Sequence, residues 1–261
     1  MKPIVASILL AVALNACTGS DIANIARQVS FTEQTSIKSD PNSPLKTAVI
    51  NTKQFDEIEV SQGLTVDYIQ GPATQVMLTA PEDIFDYILI TTDDDSTLKC
   101  QIKGHSCIEN GSDKVKIAII APNVKSFEAS SAATIYIGDR YSLPNEKIEL
   151  EASSAAKIRA TSITGMAISC DASSAATIEA NNLNITQKVE ADATSAATIN
   201  LSGSAQTADF EASSGAKINA IDLSAQNGSC ESESGATIKC NIVNLNKIQQ
   251  SSGGSIHNSR K

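Results

Sequence analysis

Seven short segments of this chain align with one another without internal gaps. They are FEASSAATI from Phe127, LEASSAAKI from Leu150, CDASSAATI from Cys170, ADATSAATI from Ala191, FEASSGAKI from Phe210, CESESGATI from Cys230 and IQQSSGGSI from Ile248. Their closing isoleucines are Ile135, Ile158, Ile178, Ile199, Ile218, Ile238 and Ile256, a period that drifts around 20 residues. Such a period means a repeat architecture, in which one unit buries its inner face only by stacking on the next. Within a copy, Leu150, Ala152, Ser154, Ala156 and Ile158 alternate with Glu151, Ser153, Ala155 and Lys157. Period-two alternation is a strand with one face buried. Turn residues such as Asn181-Asn182, Ser202-Gly203 and Asn227-Gly228 separate the copies. The leucine ladder of a leucine-rich repeat is missing, and so is the Gly-Gly-x-Gly-x-Asp pattern of a calcium roll. The expected fold is therefore all-β: a parallel β-helix, or β-solenoid, with coils of about 20 residues. At ~4.8 Å per strand, seven coils make a rod of roughly 34 Å.

Composition agrees with narrow coils. The chain has 261 residues, 41% apolar but only 3% aromatic, with five Phe, four Tyr and no Trp. The interior must be filled by small and aliphatic side chains. The position that opens each copy (Phe127, Leu150, Cys170, Ala191, Phe210, Cys230, Ile248) is the interior site with most room. A net charge of −9 excludes a general nucleic-acid binder, which needs a basic footprint. No Trp argues against a sugar cleft built on aromatic platforms, and two His argue against a His-based metal or catalytic centre. No cofactor is expected.

Two columns follow from stacking the copies. Serines 131, 154, 174, 195, 214, 234 and 252 fall in register at a tight corner, where they suit a turn. No base accompanies any of them, so they are not nucleophiles. Seven residues before each closing Ile stand Glu128, Glu151, Asp171, Asp192, Glu211 and Glu231, then Gln249. These six carboxylates form one outward row, with neighbours in water repelling by ~0.9 kcal/mol at ~4.8 Å. Lys157, Arg159, Lys217 and Lys239, on the same coils, are candidates to relieve it. The row reads either as a solvated face or as a weak surface for divalent cations or a polycationic partner.

Residues 1–16 carry Lys2 and an apolar run from Ile4 to Leu14 that is too short to span a bilayer. The run ends at Leu14-Asn15-Ala16-Cys17, which resembles a bacterial lipoprotein signal. That resemblance implies cleavage before Cys17, lipidation of Cys17 and, with Thr18 rather than Asp next, passage to the outer membrane. Several acyl chains give the durable attachment that one does not. Residues 17–46 are polar and read as a tether, 47–126 as an N-terminal β-rich part, and 127–261 as the repeat region.

Residues 55–103 open with Phe55-x-x-Ile58-x-Val60, continue through Gln62-Gly63 and end with the Thr97-Leu98-Lys99 strand. With the later Ser214-Gly215-Ala216-Lys217-Ile218 and Ser234-Gly235-Ala236-Thr237-Ile238, this is similar to the head GIN domain family of bacterial envelope proteins, labelled putative auto-transporter adhesins. The resemblance covers about residues 47–256. It implies a single-stranded right-handed β-helix and brings no catalytic motif. This chain departs from the family at Ala132, Ala155, Ala175 and Ala196, where the family prefers Gly. Because Ala is strained at positive φ, these four predict a corner that is not left-handed in those coils.

Cys100 and Cys107 flank a hairpin-like stretch and are candidates for a disulfide in an oxidising compartment. Cys170 and Cys230 sit at equivalent positions three coils apart, too far to bond, and read with Cys240 as small core hydrophobes. The longest insertion, Gly138 to Lys147, carries Asp139 and Glu146, a conceivable acid pair. Three functions remain open: a lipid-anchored, non-catalytic adhesion or scaffolding module with an envelope protein or glycan as partner; a carbohydrate-active enzyme; and a structural envelope subunit. The last copy has no capping helix after it, which leaves end-to-end stacking of two copies open.

Overall fold

The computed structural model describes residues 36–104 and 106–260. Cys17, the signal segment and the first part of the tether lie outside the described residues. The N-terminal part contributes β1 (Ser36–Lys38), β2 (Leu45–Ile50), β3 (Glu57–Val60), β4 (Thr65–Gln70), β5 (Gln75–Pro81), β6 (Ile88–Thr92), β7 (Thr97–Ile102), β8 (Cys107–Glu109) and β9 (Lys116–Ala121). The repeat region contributes β10 (Ser126–Ala129), β11 (Thr134–Ile137), β12 (Tyr141–Ala152), β13 (Lys157–Ala160) and β14 (Ile163–Ala172). It continues through β15 (Thr177–Ala193), β16 (Thr198–Ala212), β17 (Lys217–Ser232), β18 (Thr237–Gln250) and β19 (Ser255–Asn258).

The chain folds as a β-solenoid of stacked parallel coils. The gap-free alignment of the copies is also their register. Ile135, Ile158, Ile178, Ile199, Ile218, Ile238 and Ile256 are successive partners along the stack. The first six are at most 1% exposed. Burying each such side chain contributes about 1.5–3 kcal/mol, so the column is a main source of stability.

The stack is longer than the seven copies. Strands β3 and β4 form a further rung, with Ile58 paired to Phe127 and Val66 to Ile135. Ile58 to Val66 is thus a degenerate eighth copy, keeping Glu59, Ser61 and Thr65 in place. Beyond it, β7 and β9 pair in parallel with β3 and β4. Spatial order therefore departs from chain order, because the rung at 57–70 lies between 97–121 and 126–137. Antiparallel β5 covers β9, β2 covers β5, and β6 covers β7. That end of the solenoid is capped.

Residues 36–46 are not an unstructured tether. β1 pairs with β8, and Asp83 accepts hydrogen bonds from Ser39 Oγ (3.0 Å) and the Asp40 N–H (2.7 Å). The sequence hides this, because β1 and the start of β2 are mostly exposed and carry little apolar pattern.

Rings are more frequent inside than the two interior Phe predicted. Tyr68, Phe127 and Tyr141 form a buried edge-to-face cluster with centroids 5.0–5.9 Å apart. Tyr68 donates to the Ala121 carbonyl (2.9 Å), and Tyr141 to that of Val124. The rings fill the space where the chain crosses the β3–β4 rung.

At the other end, β19 pairs with β18 alone among the described residues. Ile248, expected inside as the seventh opening residue, is 59% exposed, and Val243 is 42% exposed. Among the described residues no further coil packs on Ile248 at that inner position, whereas Val243 falls by register at the outward position beside buried Ile242.

The corner is left-handed in every copy, against the expectation for the alanines. Ser131 and Ala132 have φ of 50° and 62°, and the same holds at Ser154-Ala155, Ser174-Ala175 and Ser195-Ala196. Two consecutive positive φ values with a hydrogen bond from Ala133 N–H to the Ser130 carbonyl (3.0 Å) mark a type I′ turn. This geometry aims the second turn residue's N–H along the rod. Ala132 donates to the Ser154 carbonyl, Ala155 to Ser174, Ala175 to Ser195 and Ala196 to Ser214, at 2.9–3.1 Å. The serine column thus stacks through its carbonyls, while its side chains face solvent.

The strain at Ala is a local cost that the axial bond offsets. Gly215, at the same position with φ of 74°, has open space where a Cβ would stand, so only backbone conformation separates Ala from Gly there. Ala155→Gly should therefore raise stability by about 0.5–1 kcal/mol, and Gly215→Ala should lower it by a similar amount. Urea unfolding of both variants measures this. A less stable Ala155→Gly protein would show that the corner carries no strain.

Candidate functional site

The outward row predicted from the copies is assembled by strand register. Glu128 pairs with Glu151, Glu151 with Asp171, Asp171 with Asp192, Asp192 with Glu211, Glu211 with Glu231 and Glu231 with Gln249. The structure adds Glu59, which pairs with Glu128 and was hidden in the degenerate copy. Seven carboxylates thus follow one another from Glu59 to Glu231.

Cations meet this row at its ends. Lys99 bonds Glu59 and Asp93, both at 3.2 Å, and Lys247 bonds Glu231. Lys157, Lys217 and Lys239 make no ion pair among the described residues, and Arg159 instead pairs with Glu179 at 3.1 Å. In the parallel row two residues earlier, lysines pair with three carboxylates. There Lys147 meets Glu149 at 3.0 Å, and Lys188 bridges Glu190 and Asp209. Among the described residues, nothing cationic pairs with Glu128, Glu151, Asp171, Asp192 or Glu211.

The row lines two shallow grooves. One, of about 260 Å³, runs along Glu128, Glu151, Asp171 and Asp192; the other, of about 250 Å³, along Asp192, Glu211, Glu231 and Glu233. Burial, followed by repulsion from Glu59 and Glu151, raises the Glu128 carboxyl above its ordinary range. Burial and neighbouring carboxylates raise Glu151, and burial then Asp171 raise Asp192. Burial also raises Asp171, against a hydrogen bond from Ser169 Oγ at 3.1 Å. Among the described residues no three His, Cys, Asp or Glu side chains converge to hold a metal ion. Strand spacing spreads the charges along a line, which suits an extended cationic surface rather than a chelated ion.

The other concave feature is a cleft of about 580 Å³ where the 138–147 insertion meets the first rungs. Glu146 lines it, along with Phe55 and Asn123, but Asp139 does not. Its second carboxylate, Asp56, is held by Lys125 at 2.7 Å. The suggested acid pair is therefore not assembled.

Cys100 and Cys107 are both free. Cys100 points into the core from β7, where burial pushes its thiol up to about 12. Cys107 is half-buried on β8, whose partner is β1, so neighbouring strands do not bring the two together. No described helix is long and apolar enough to cross a membrane.

Several solved structures share the fold. A putative lipid binding protein from Parabacteroides distasonis is 19% identical, with a TM-score of 0.72 over 85% of this chain and 99% of that one. A putative adhesin from the same species is 18% identical, with a TM-score of 0.71 over 86% of this chain and 100% of that one. A putative adhesin from Bacteroides fragilis is 19% identical, with a TM-score of 0.61 over 85% and 99% of the two chains. No curated protein matches the sequence significantly. Residues 54–261 match the family described as putative auto-transporter adhesin, head GIN domain.

The raised carboxyls set a pH dependence. The folded row binds protons more tightly than the unfolded chain, so its stability should rise as pH falls from 7 toward the free values near 4. Asp83, lowered by the Asp40 N–H, and Asp93, lowered by the Thr97 N–H, act oppositely. Their contribution is lost as pH falls through their folded values, below 3.8. Melting temperature should therefore peak in weak acid. Glu151→Gln removes repulsion from both neighbours and should stabilise by about 0.5 kcal/mol at pH 7 after screening, fading toward pH 4.5. A gain unchanged between those two pH values would contradict the assignment.

Proposed function

The chain belongs to the head GIN domain family of putative auto-transporter adhesins, and on that premise we propose that it is a non-catalytic binding module of the bacterial cell envelope. It is displayed on a lipid at Cys17 in the outer membrane and contacts its partner through the acidic row. The observation that carries this reading is the row itself. Its five central carboxylates have no cationic partner among the described residues, whereas in the row beside them Glu149, Glu190 and Asp209 are each paired with a lysine. A regular coil face offers many weak contacts along its length rather than one pocket. The partner that fits is an envelope protein with a basic strip; a glycan would need hydrogen-bonding residues more than repeated charge. The cleft at the insertion lacks the free carboxylate pair that glycoside hydrolysis requires.

Polylysine serves as a probe of the row. The full chain should bind it with an affinity that falls steeply with salt, and the Glu151→Gln, Asp171→Asn, Asp192→Asn triple variant should lose most of that binding. Equal binding by wild type and triple variant would overturn the role of the row. Cys17→Ala should move the protein from the membrane fraction to the soluble fraction and abolish labelling by radioactive palmitate. Retention in the membrane without the label would remove the lipid from the reading.

The open coil end supports one addition. Ile248 stands exposed at an inner position, and the far edge of β19 has no strand partner among the described residues. A second copy stacked there through the same end would cover both the edge and the apolar face. Light scattering at high concentration should then give twice the monomer mass, and Ile248→Asp should return it to monomer.

A further inference from the structure

Each coil carries two interior residues ten positions apart on opposite sides of the left-handed corner. The pairs are Leu150 and Ala160, Cys170 and Ala180, Ala191 and Leu201, Phe210 and Ala220, then Cys230 and Cys240. Strand register runs down the first column from Leu150 to Cys230 and down the second from Ala160 through Ala180 to Leu201, while Ala220 and Cys240 each follow a residue of the register pair Asn219 and Lys239. All ten side chains are at most 3% exposed. In the first four pairs an alanine faces a larger residue, so that the sum fits a narrow cross-section. In the fifth, two equal sulfur side chains share the space. Cys230 Sγ lies 3.7 Å from Cys240 Sγ, and both residues are 0% exposed.

We propose that Cys230 and Cys240 form a disulfide that clips this coil across its corner when the chain folds in an oxidising compartment. The two sulfurs stand at van der Waals contact, and a bond of about 2 Å requires them to close by less than 2 Å. The loop closed runs from Cys230 through Glu233-Ser234-Gly235-Ala236 to Cys240. The oxidant is a disulfide donor, such as an oxidoreductase disulfide or oxidised glutathione. One cysteine thiolate attacks a donor sulfur, forming a mixed disulfide and releasing one donor thiolate. The second cysteine thiolate attacks its partner's sulfur in that mixed disulfide and releases the other donor thiolate. Two protons pass from the protein thiols to the donor thiols, and two electrons reduce the donor. Because both sulfurs are sealed in the finished coil, exchange takes place before the coil closes.

Position gives the clip its role. Among the described residues, one coil alone, ending at Asn258, lies beyond this pair, and its inner Ile248 is exposed. The clip therefore sits in the last coil with a complete interior, where unravelling from the open end would next proceed. That the clip closes in the cell rests on the envelope location proposed above; its chemistry does not.

The test refolds the reduced full chain in a glutathione buffer containing oxidised glutathione, so it is independent of localisation. The product is then unfolded in guanidinium with iodoacetamide and digested with trypsin, which cuts after Lys217, Lys239 and Lys247. The expected result is peptide 218–239 joined to peptide 240–247, two hydrogens lighter than the separate thiol peptides, while Cys170 is alkylated. Alkylation of both Cys230 and Cys240 in most molecules would overturn the proposal. Dithiothreitol should lower the melting temperature of the oxidised wild type by about 5–10 °C, from loop-closure entropy and chain length. It should leave Cys240→Ala unmoved, although that variant keeps Cys100 and Cys107. An equal shift in Cys240→Ala would place the sensitive bond elsewhere.

Discussion

The solenoid depends on a hydrogen-bond ladder along its axis that does not stop at the turns. In most sheets the turn is where inter-strand bonding ends. Here each corner has two left-handed residues, and the second sends its N–H to the serine carbonyl of the next coil. The series runs unbroken from Gly63 to Ser131, through the four alanines, to Gly235 and Ser252. Buried or closely stacked backbone groups must find partners. A right-handed corner would leave these N–H groups unbonded between coils. The conformation is thus set by the stack, and the residue at the corner tolerates it.

This explains which parts of the molecule could be read from the amino acids. Copies that align without gaps carry their own register, so the isoleucine column and the acidic row were legible residue by residue. Period-two alternation assigned inside and outside for the same reason. Ala132 and its equivalents misled because alanine's local preference opposes positive φ, while the bond that overrides it comes from another coil. The rung at Ile58 to Val66 escaped because Glu59, Ser61 and Thr65 are too few to announce a copy far from the rest. Cys230 and Cys240 were each placed inside, but comparing equivalent positions between coils does not reveal a contact within one.

Charge on the surface follows the same geometry. A side chain repeated in register is repeated every strand spacing, so attraction and repulsion both become linear. Lys147 and Lys188 flank one row and pair with three of its carboxylates. The adjacent row keeps its repulsion along the centre, with lysine contacts only at Glu59 and Glu231. Burial and mutual repulsion leave its carboxyls reluctant to ionise, which is the electrostatic condition of a face that gains from meeting positive charge.

The inverted order of the first rungs bears on how the chain reaches this state. Later coils meet neighbours that lie next to them in sequence, so each closes a short loop on its predecessor. The rung at 57–70 must wait for 97–121 on one side and 126–137 on the other. Long loops cost more entropy to close, and distant pairings form more slowly. A chain emerging from its N-terminus would therefore hold its first strands unpaired while growth continues. The aromatic cluster of Tyr68, Phe127 and Tyr141 draws one ring from that rung and two from the strands that follow it, so it can form only once that waiting ends.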